Sequence, residues 1–122
     1  MPKVLIVEDD QFLAELITKK LDEEGFDVVY AADGEKGWVA AQKDKPDIIL
    51  LDLLLPGIDG FEVMENIKKD ENLSKIPIIV ISNYGQESKI QRAMSLGAKD
   101  YLVKANFTTG EIADKVRSVL EK

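Results

Sequence analysis

The sequence predicts an α/β fold in which five parallel strands alternate with five helices. Continuous apolar runs recur along the chain, and such runs are typical of strands that are buried on both faces of a parallel sheet. Amphipathic segments with helical spacing separate these runs. The connections between them are short, which favours strand–helix–strand units with helices on both faces of one sheet. The predicted architecture is therefore a doubly wound (βα)5 domain.

Four apolar runs indicate strands, and a fifth strand is predicted over a shorter apolar stretch around Val28 and Val29. The four runs are Val4–Val7, Ile48–Leu51, Ile78–Ile81 and Tyr101–Val103. Their lengths of three to four residues suit short buried strands rather than helices. The predicted strands cover about residues 3–8, 27–31, 47–52, 77–82 and 100–104.

Capping residues indicate where three of the predicted helices begin. Asp33 is predicted to cap the second helix, because an aspartate side chain can accept hydrogen bonds from the free N–H groups of the first turn. Asp59 with Glu62, and Thr108 with Glu111, have the three-residue spacing that is typical of capped helix starts. The predicted helices cover about residues 10–24, 34–43, 86–95 and 109–120, with the third helix beginning after Asp59.

The composition excludes several classes of protein. With 122 residues the chain is predicted to form one domain over residues 1–122. A net charge of −7 argues against a nucleic-acid-binding surface. The absence of cysteine and histidine excludes disulfides, thiolate or imidazole metal ligands and a serine–histidine dyad. No signal peptide or membrane-spanning run is visible, so a cytoplasmic location without membrane contact is predicted.

Polar residues follow four of the predicted strands at the point where each strand ends. Glu8 and Asp9 follow the first strand, and Asp52 ends the third. Ser82 ends the fourth strand and Lys104 the fifth. Because ligands bind beyond the carboxyl ends of parallel strands, these side chains are expected to form one site. Taken alone, each of these residues is explained as a solvated charge or a loop residue. Only their joint placement at the ends of four strands indicates a site.

The predicted site suits a divalent cation and a phosphoryl group. Two carboxylates about 4 Å apart repel each other by roughly 4 kcal/mol at an effective dielectric constant near 20, so three of them need protons or a cation. Hard oxygen ligands favour Mg²⁺, which keeps several waters for an incoming phosphate. Lys104 would contact the phosphoryl oxygens and Ser82 would donate to one of them. Asp52 would be the nucleophile, since carboxylates form acyl phosphates.

From end to end, the chain resembles the receiver domain of bacterial two-component response regulators. The segments that carry the resemblance are Val4–Asp10, Asp47–Leu53, Pro56–Gly60, Ile81–Ser82 and Gly97–Lys104. The resemblance implies the flavodoxin-like sheet of chemotaxis receivers, with strand order 2-1-3-4-5. This strand order follows from the resemblance and not from the periodicity of the sequence.

The resemblance also implies a role for each residue of the metal site. Asp52 would be the phosphoacceptor and a metal ligand. Asp9 would bind Mg²⁺ directly, Glu8 would bind it through water, and the Leu54 backbone carbonyl would be a further ligand. The cofactor implied by the resemblance is therefore Mg²⁺.

A phosphorylation-dependent signalling switch is the function that the resemblance implies. A sensor histidine kinase or a histidine phosphotransfer protein would donate the phosphoryl group, and Lys104 would contact it. Ser82 and Tyr101 would form the switch pair, with Asn83 and Tyr84 at the mouth of the phosphate site. The surface of helix 4, strand 5 and helix 5 would then change for an unknown downstream protein. We expect a monomer or weak dimer without an output domain, stand-alone or excised, which catalyses only its own phosphorylation and dephosphorylation.

Three departures from the family pattern affect these expectations. Lys104 is followed by Ala105 where a cis proline is usual; a cis non-proline bond costs about 2.5–4 kcal/mol, so this loop should be strained or rearranged. Tyr84 is expected to crowd the phosphate site and to slow hydrolysis. Lys99 is expected to face Lys115, where the DNA-binding branch of the family commonly pairs an acid with a base. This last change argues against the dimer of that branch.

Two other functions are compatible with the same type of fold. An aspartyl-phosphate phosphatase usually carries a second acid two residues after its nucleophile, and Leu54 at that position argues against turnover. A flavin-binding electron carrier needs a hydroxyl- and glycine-rich phosphate loop after the first strand. Here that loop is Glu8–Gln11, which would repel the phosphate of FMN. A colourless purified protein would exclude the flavin carrier.

Overall fold

A computed structural model describes residues 2–121, so Met1 and Lys122, the predicted bounds of the domain, lie outside the described residues. The strands are β1 (Lys3–Val7), β2 (Asp27–Ala31), β3 (Ile48–Asp52), β4 (Ile78–Ser82) and β5 (Asp100–Val103). The helices are α1 (Gln11–Glu23), α2 (Gly34–Asp44), α3 (Gly60–Lys69), α4 (Glu87–Ser95) and α5 (Thr109–Leu120). None of the helices described is long and apolar enough to cross a membrane.

The five strands form one parallel sheet in the order β2-β1-β3-β4-β5, which confirms the predicted fold class and strand order. The register aligns Val7 with Leu51 between β1 and β3. It aligns Asp52 with Ile81 and Ser82 with Val103 across the other half of the sheet. The strands therefore end at nearly the same level, and the residues that follow them share one edge.

Helices cover both faces of the sheet because its central strands are apolar on both sides. In β1, Val4 and Ile6 pack with α1 and α5, whereas Leu5 and Val7 pack on the opposite face with α2, α3 and α4. This alternation follows from the two-residue period of a strand. The residues of β3 and β4 are all buried, as expected for the centre of a parallel sheet. The central strands thus hold the ends that carry Asp52 and Ser82 in fixed positions.

The three predicted helix caps are confirmed. The side chains of Asp33 and Asp59 accept from backbone N–H groups three residues later, at 2.8 Å and 3.0 Å. Thr108 and Glu111 form a reciprocal capping box at the start of α5. Asp10 accepts from Leu13 N–H at 3.1 Å and caps α1, so this helix begins one residue later than predicted. These caps fix the loops at the carboxyl edge of the sheet.

The loop after β5 is rearranged rather than strained. β5 ends at Val103, one residue earlier than predicted, and Lys104–Asn106 form one turn of 3₁₀ helix. Residues 2–121 contain no cis peptide bond, so the Lys104–Ala105 bond is trans. Between the two alternatives that the sequence left open, the structure therefore has the rearranged loop.

Lys115, which was expected to face Lys99, has an acidic partner that the sequence analysis did not predict. Lys115 Nζ lies 3.5 Å from Asp100 Oδ2, so it has an acidic partner on β5. Lys99 instead acts on Lys68, whose pKa is lowered by burial and then by the Lys99 charge. The Lys115 ammonium is thus stabilised by a carboxylate, whereas the Lys99 and Lys68 ammonium groups repel each other.

Candidate functional site

The carboxyl edge of the sheet brings together the polar residues that end four strands. Glu8 follows β1 directly, Asp52 is the last residue of β3, and Ser82 is the last residue of β4. Lys104 follows β5. Glu8, Asp9 and Asp52 each offer a carboxylate oxygen, and these oxygens lie within 4.8 Å of one another. The juxtaposition predicted from the strand ends is therefore present.

Two glycines allow the loops at this edge to approach each other closely. A Cβ atom on Gly60 would lie 2.3 Å from the Asp52 carbonyl oxygen, so only glycine lets α3 begin against the end of β3. The Gly60 N–H donates to the Leu53 carbonyl at 2.9 Å. A Cβ atom on Gly34 would lie 2.1 Å from the Ile58 carbonyl oxygen, which brings α2 against the same loop. The sequence analysis did not identify either contact, because both depend on the approach of distant segments.

Lys104 bridges two of the three carboxylates. Its Nζ atom lies 2.6 Å from Glu8 Oε1 and 3.0 Å from Asp52 Oδ2, and the three side chains are 13%, 0% and 5% exposed. The Asp52 contact is a hydrogen bond, whereas the Glu8 contact is an ion pair without hydrogen-bond alignment. The sequence predicted Lys104 near Asp52 but missed its contact with Glu8.

Burial and charge change the proton affinities of this triad. The pKa of Glu8 is raised to about 7, chiefly by burial, with the Lys104 contact opposing the rise and the Asp52 charge adding to it. Burial by itself would lower the pKa of Lys104, but its contacts with Glu8 and Asp52 outweigh burial and raise that pKa. Lys104 is thus a fixed positive charge, whereas Glu8 can exchange a proton near neutral pH.

The three carboxylates among the four predicted metal ligands differ in their exposure to solvent. Glu8 is completely buried, Asp52 is 4% exposed and Asp9 is exposed. Leu54 N–H donates to Asp52 Oδ1 at 3.2 Å, which places the Leu54 main chain beside the predicted phosphoacceptor. Its side chain is 58% exposed. The role of its carbonyl oxygen as a ligand stays a prediction.

The main chain of Tyr84 connects the two residues of the predicted switch pair. Tyr84 N–H donates to the Ser82 hydroxyl at 3.0 Å, and the Tyr101 hydroxyl donates to the Tyr84 carbonyl at 2.7 Å. Ser82 is fully buried and Tyr101 is half-buried. The Tyr84 ring lies under Lys89 of α4, with Nζ 4.9 Å from its centroid. Asn83 is exposed beside Ser82. The loop after β4 therefore contacts β4, β5 and α4 together.

Comparison with known proteins identifies the family. A family model described as the response regulator receiver domain matches residues 4–117. The chain belongs to this family. In this receiver domain, the acidic cluster and Lys104 lie at the carboxyl edge of the sheet.

Relatives of this receiver domain include transcriptional regulators and chemotaxis proteins. The chain is 40% identical over 123 residues to the DNA-binding dual master transcriptional regulator RpaA of Synechocystis, which covers the whole chain and 50% of RpaA. It spans about half the length of this and similar curated regulators. Chemotaxis protein CheY4 of Vibrio cholerae superposes with a TM-score of 0.90 at 28% identity, covering 98% of each chain. The Mn²⁺-bound response regulator Rcp1 superposes with a TM-score of 0.85 at 26% identity, covering 97% of this chain and 93% of its own.

The residues present in this receiver domain fit a divalent cation of the hard type. Three carboxylates converge against one ammonium group, so negative charge remains after Lys104 is counted. The candidate ligand atoms are all carboxylate oxygens, which favours Mg²⁺ over metals that prefer nitrogen or sulfur. Glu8 Oε1 is buried and has the Lys104 ammonium 2.6 Å away, so the buried carboxylate already lies against a positive charge, as it would beside a cation.

Proposed function

We propose that this receiver domain is a phosphorylation-dependent signalling switch in which Asp52 accepts a phosphoryl group. The observation that carries the proposal is the Lys104 ammonium, which lies 3.0 Å from Asp52 Oδ2. Asp52 and its neighbours Glu8 and Ser82 are buried. A carboxylate that is held beside a fixed cation at a strand end is suited to attack a phosphorus atom. The site thus combines a nucleophile with a group that stabilises the transferred charge.

The donor in this proposal is a phosphohistidine on a sensor histidine kinase or a histidine phosphotransfer protein. An oxygen of Asp52 forms the new bond to phosphorus while the bond between phosphorus and the donor imidazole breaks. The imidazole nitrogen leaves with the electron pair of the broken bond and takes up a proton. The product is an acyl phosphate on Asp52. No histidine of this chain takes part, since the sequence contains none.

Asp9, Asp52 and Glu8 would hold Mg²⁺ during this transfer, with Glu8 acting through water and the Leu54 carbonyl as a further ligand. Bound Mg²⁺ would neutralise the charge that the phosphoryl oxygens bring into the acidic cluster. The similar regulator Rcp1 was solved with Mn²⁺ bound, which supports a divalent cation here. Lys104 would exchange its contact with Glu8 for a contact with a phosphoryl oxygen, because its ammonium group already lies 3.0 Å from the Asp52 carboxylate that would carry the phosphoryl group.

The switch would act through the loop that follows β4. A phosphoryl group on Asp52 adds strong hydrogen-bond acceptors beside Ser82, and the Ser82 hydroxyl would turn towards them. The Tyr84 N–H would then lose its present acceptor, and the loop that holds Tyr101 would move with it. The α4–β5–α5 surface would therefore exist in two packings that phosphorylation interconverts. An unknown downstream protein would recognise one of them.

The domain would catalyse only its own phosphorylation and dephosphorylation. Leu54 lies two residues after Asp52 and is exposed, where a phosphatase of the aspartyl-phosphate type needs an acid. Without that acid, hydrolysis of the acyl phosphate would depend on water alone, and Tyr84 would slow it by crowding the phosphate site. A cytoplasmic location and a monomer or weak dimer are part of the same proposal.

Incubation with acetyl phosphate and Mg²⁺ tests the proposal. Intact mass spectrometry should show one added phosphoryl group, which is lost on treatment with base, and Asp52→Asn should prevent its addition. Asp33→Asn is the matched control: it removes one carboxylate away from the site, at the cap of α2, where asparagine caps equally well. A phosphoryl group that persists in Asp52→Asn would contradict the proposal.

A second measurement tests the switch. In the phosphorylated wild type, amide shifts should extend from Asp52 into the loop after β4, α4 and β5. Ser82→Ala should still accept phosphate, but the shifts in α4 and β5 should shrink because the donor that moves the loop is missing. Shifts confined to the loops after β1 and β3 in the wild type would refute the switch and leave phosphorylation itself intact.

A further inference from the structure

Tyr30 contacts the main chain of the acidic cluster from the edge strand β2. Its hydroxyl donates to the Glu8 carbonyl at 2.7 Å, across 22 residues of sequence. The neighbouring Ala31 carbonyl accepts from Glu8 N–H at 3.1 Å. Both main-chain polar groups of Glu8 are therefore held by β2. The sequence analysis gave no role to this tyrosine, because only the pairing of β1 with β2 brings it beside Glu8.

We propose that Tyr30 is a positioning residue that directs the Asp9 carboxylate into the metal site. This inference rests on the proposed function, in which Asp9 is a metal ligand. The Glu8 carbonyl and the Asp9 N–H belong to one planar peptide unit. A hydrogen bond that fixes the carbonyl fixes the orientation of that plane, and the plane sets the direction in which the Asp9 side chain leaves the backbone.

The loop between β1 and α1 is also anchored at its Asp10 end. Asp10 N–H donates to Glu8 Oε2 at 3.1 Å, and the Asp10 side chain accepts from Leu13 N–H at 3.1 Å as the cap of α1. Asp9 lies between these two anchors. Within the part of the chain that the structure describes, its carboxylate is exposed and makes no hydrogen bond or ion pair. The backbone, and not a side-chain partner, therefore sets the position of Asp9.

The hydroxyl of Tyr30 can be removed without emptying a core position. The residue is 39% exposed, and its ring forms one wall of a groove of about 630 Å³ between α1 and β2. Thr18 of α1 lines the same groove and carries a hydroxyl. Tyr30→Phe keeps the ring and deletes only the donor to Glu8, whereas Thr18→Val deletes a hydroxyl in the same groove without touching the Glu8 carbonyl. The two variants form a matched pair.

Mg²⁺ titration of the full chain, followed by amide shifts in the absence of any phosphodonor, tests the inference. We expect Tyr30→Phe to weaken Mg²⁺ binding about fivefold, which corresponds to about 1 kcal/mol, the net value of one hydrogen bond. Thr18→Val should stay within about twofold of the wild type. The amide order parameters of Asp9 and Asp10 in metal-free protein should fall in Tyr30→Phe and not in Thr18→Val.

The outcomes separate this inference from the proposed function. Wild type that binds Mg²⁺ at the cluster, with Tyr30→Phe binding equally well, would refute the role of Tyr30 and leave the proposed function standing. A Tyr30→Phe variant that loses only stability in urea would likewise show a purely structural tyrosine. Wild type that shows no Mg²⁺-dependent shift at Asp9 or Asp52 would overturn both. Weakened binding together with lower order at Asp9 supports the positioning role.

Discussion

The buried position of Glu8 predicts an unusual dependence of stability on pH in the metal-free protein. Burial raises the pKa of Glu8 to about 7 in the folded chain, whereas an exposed glutamate in the unfolded chain has the ordinary value of 4.5. Between these values the folded state binds a proton that the unfolded state has lost. The free energy of unfolding should therefore fall as the pH rises from 4.5 to 7.

The size of the effect follows from the two pKa values. Each unit of difference corresponds to about 1.4 kcal/mol, so the contribution of Glu8 should fall by about 3 kcal/mol across this range. Comparison with Glu8→Gln isolates the effect of this one group. Glutamine has the shape of the protonated glutamate and does not titrate.

Urea denaturation of both proteins in EDTA, from about pH 5 to pH 8, provides the measurement. The two should have similar stability at the acid end, and wild type should be about 3 kcal/mol less stable than Glu8→Gln at the alkaline end. Excess Mg²⁺ should flatten this difference, because a nearby cation favours the ionised carboxylate. A difference curve that is level between pH 5 and pH 8 in EDTA would refute the assignment of a raised pKa to Glu8.

Two further changes test the packing of the site. Lys104→Met should lower the free energy of unfolding at pH 7 by about 3 kcal/mol, because it leaves two buried carboxylates without their cation. If urea denaturation shows no loss of stability, the contacts of Lys104 with Glu8 and Asp52 do not stabilise the fold. Gly60→Ala should cost about 2 kcal/mol or more, since its Cβ atom would overlap the Asp52 carbonyl. Its control, Gly110→Ala, meets nothing closer than 3.7 Å and should be neutral or stabilising by up to about 1 kcal/mol; equal losses in both variants would contradict the close approach at Gly60.

Strand ends and helix caps were predictable because they depend on local patterns. An apolar run that stops at Asp52 or Ser82 already marks the end of a buried strand, and parallel strands place their ends at one edge. The caps at Asp33, Asp59 and Thr108 were visible because the capping side chain and its N–H partner are three residues apart. The strand order came from the family resemblance, because periodicity contains no information about which strands are neighbours.

The sequence by itself determined which residues stand at the carboxyl edge and what chemistry they carry. Only the tertiary structure decided the contacts between them: Lys104 against Glu8 as well as Asp52, Lys115 against Asp100, and Tyr30 against the Glu8 carbonyl. Each of these contacts joins residues from different elements of the fold, so its geometry depends on strand order, register and helix placement together. The raised pKa of Glu8 belongs to the same class, since burial is a property of the packed fold and not of the residue.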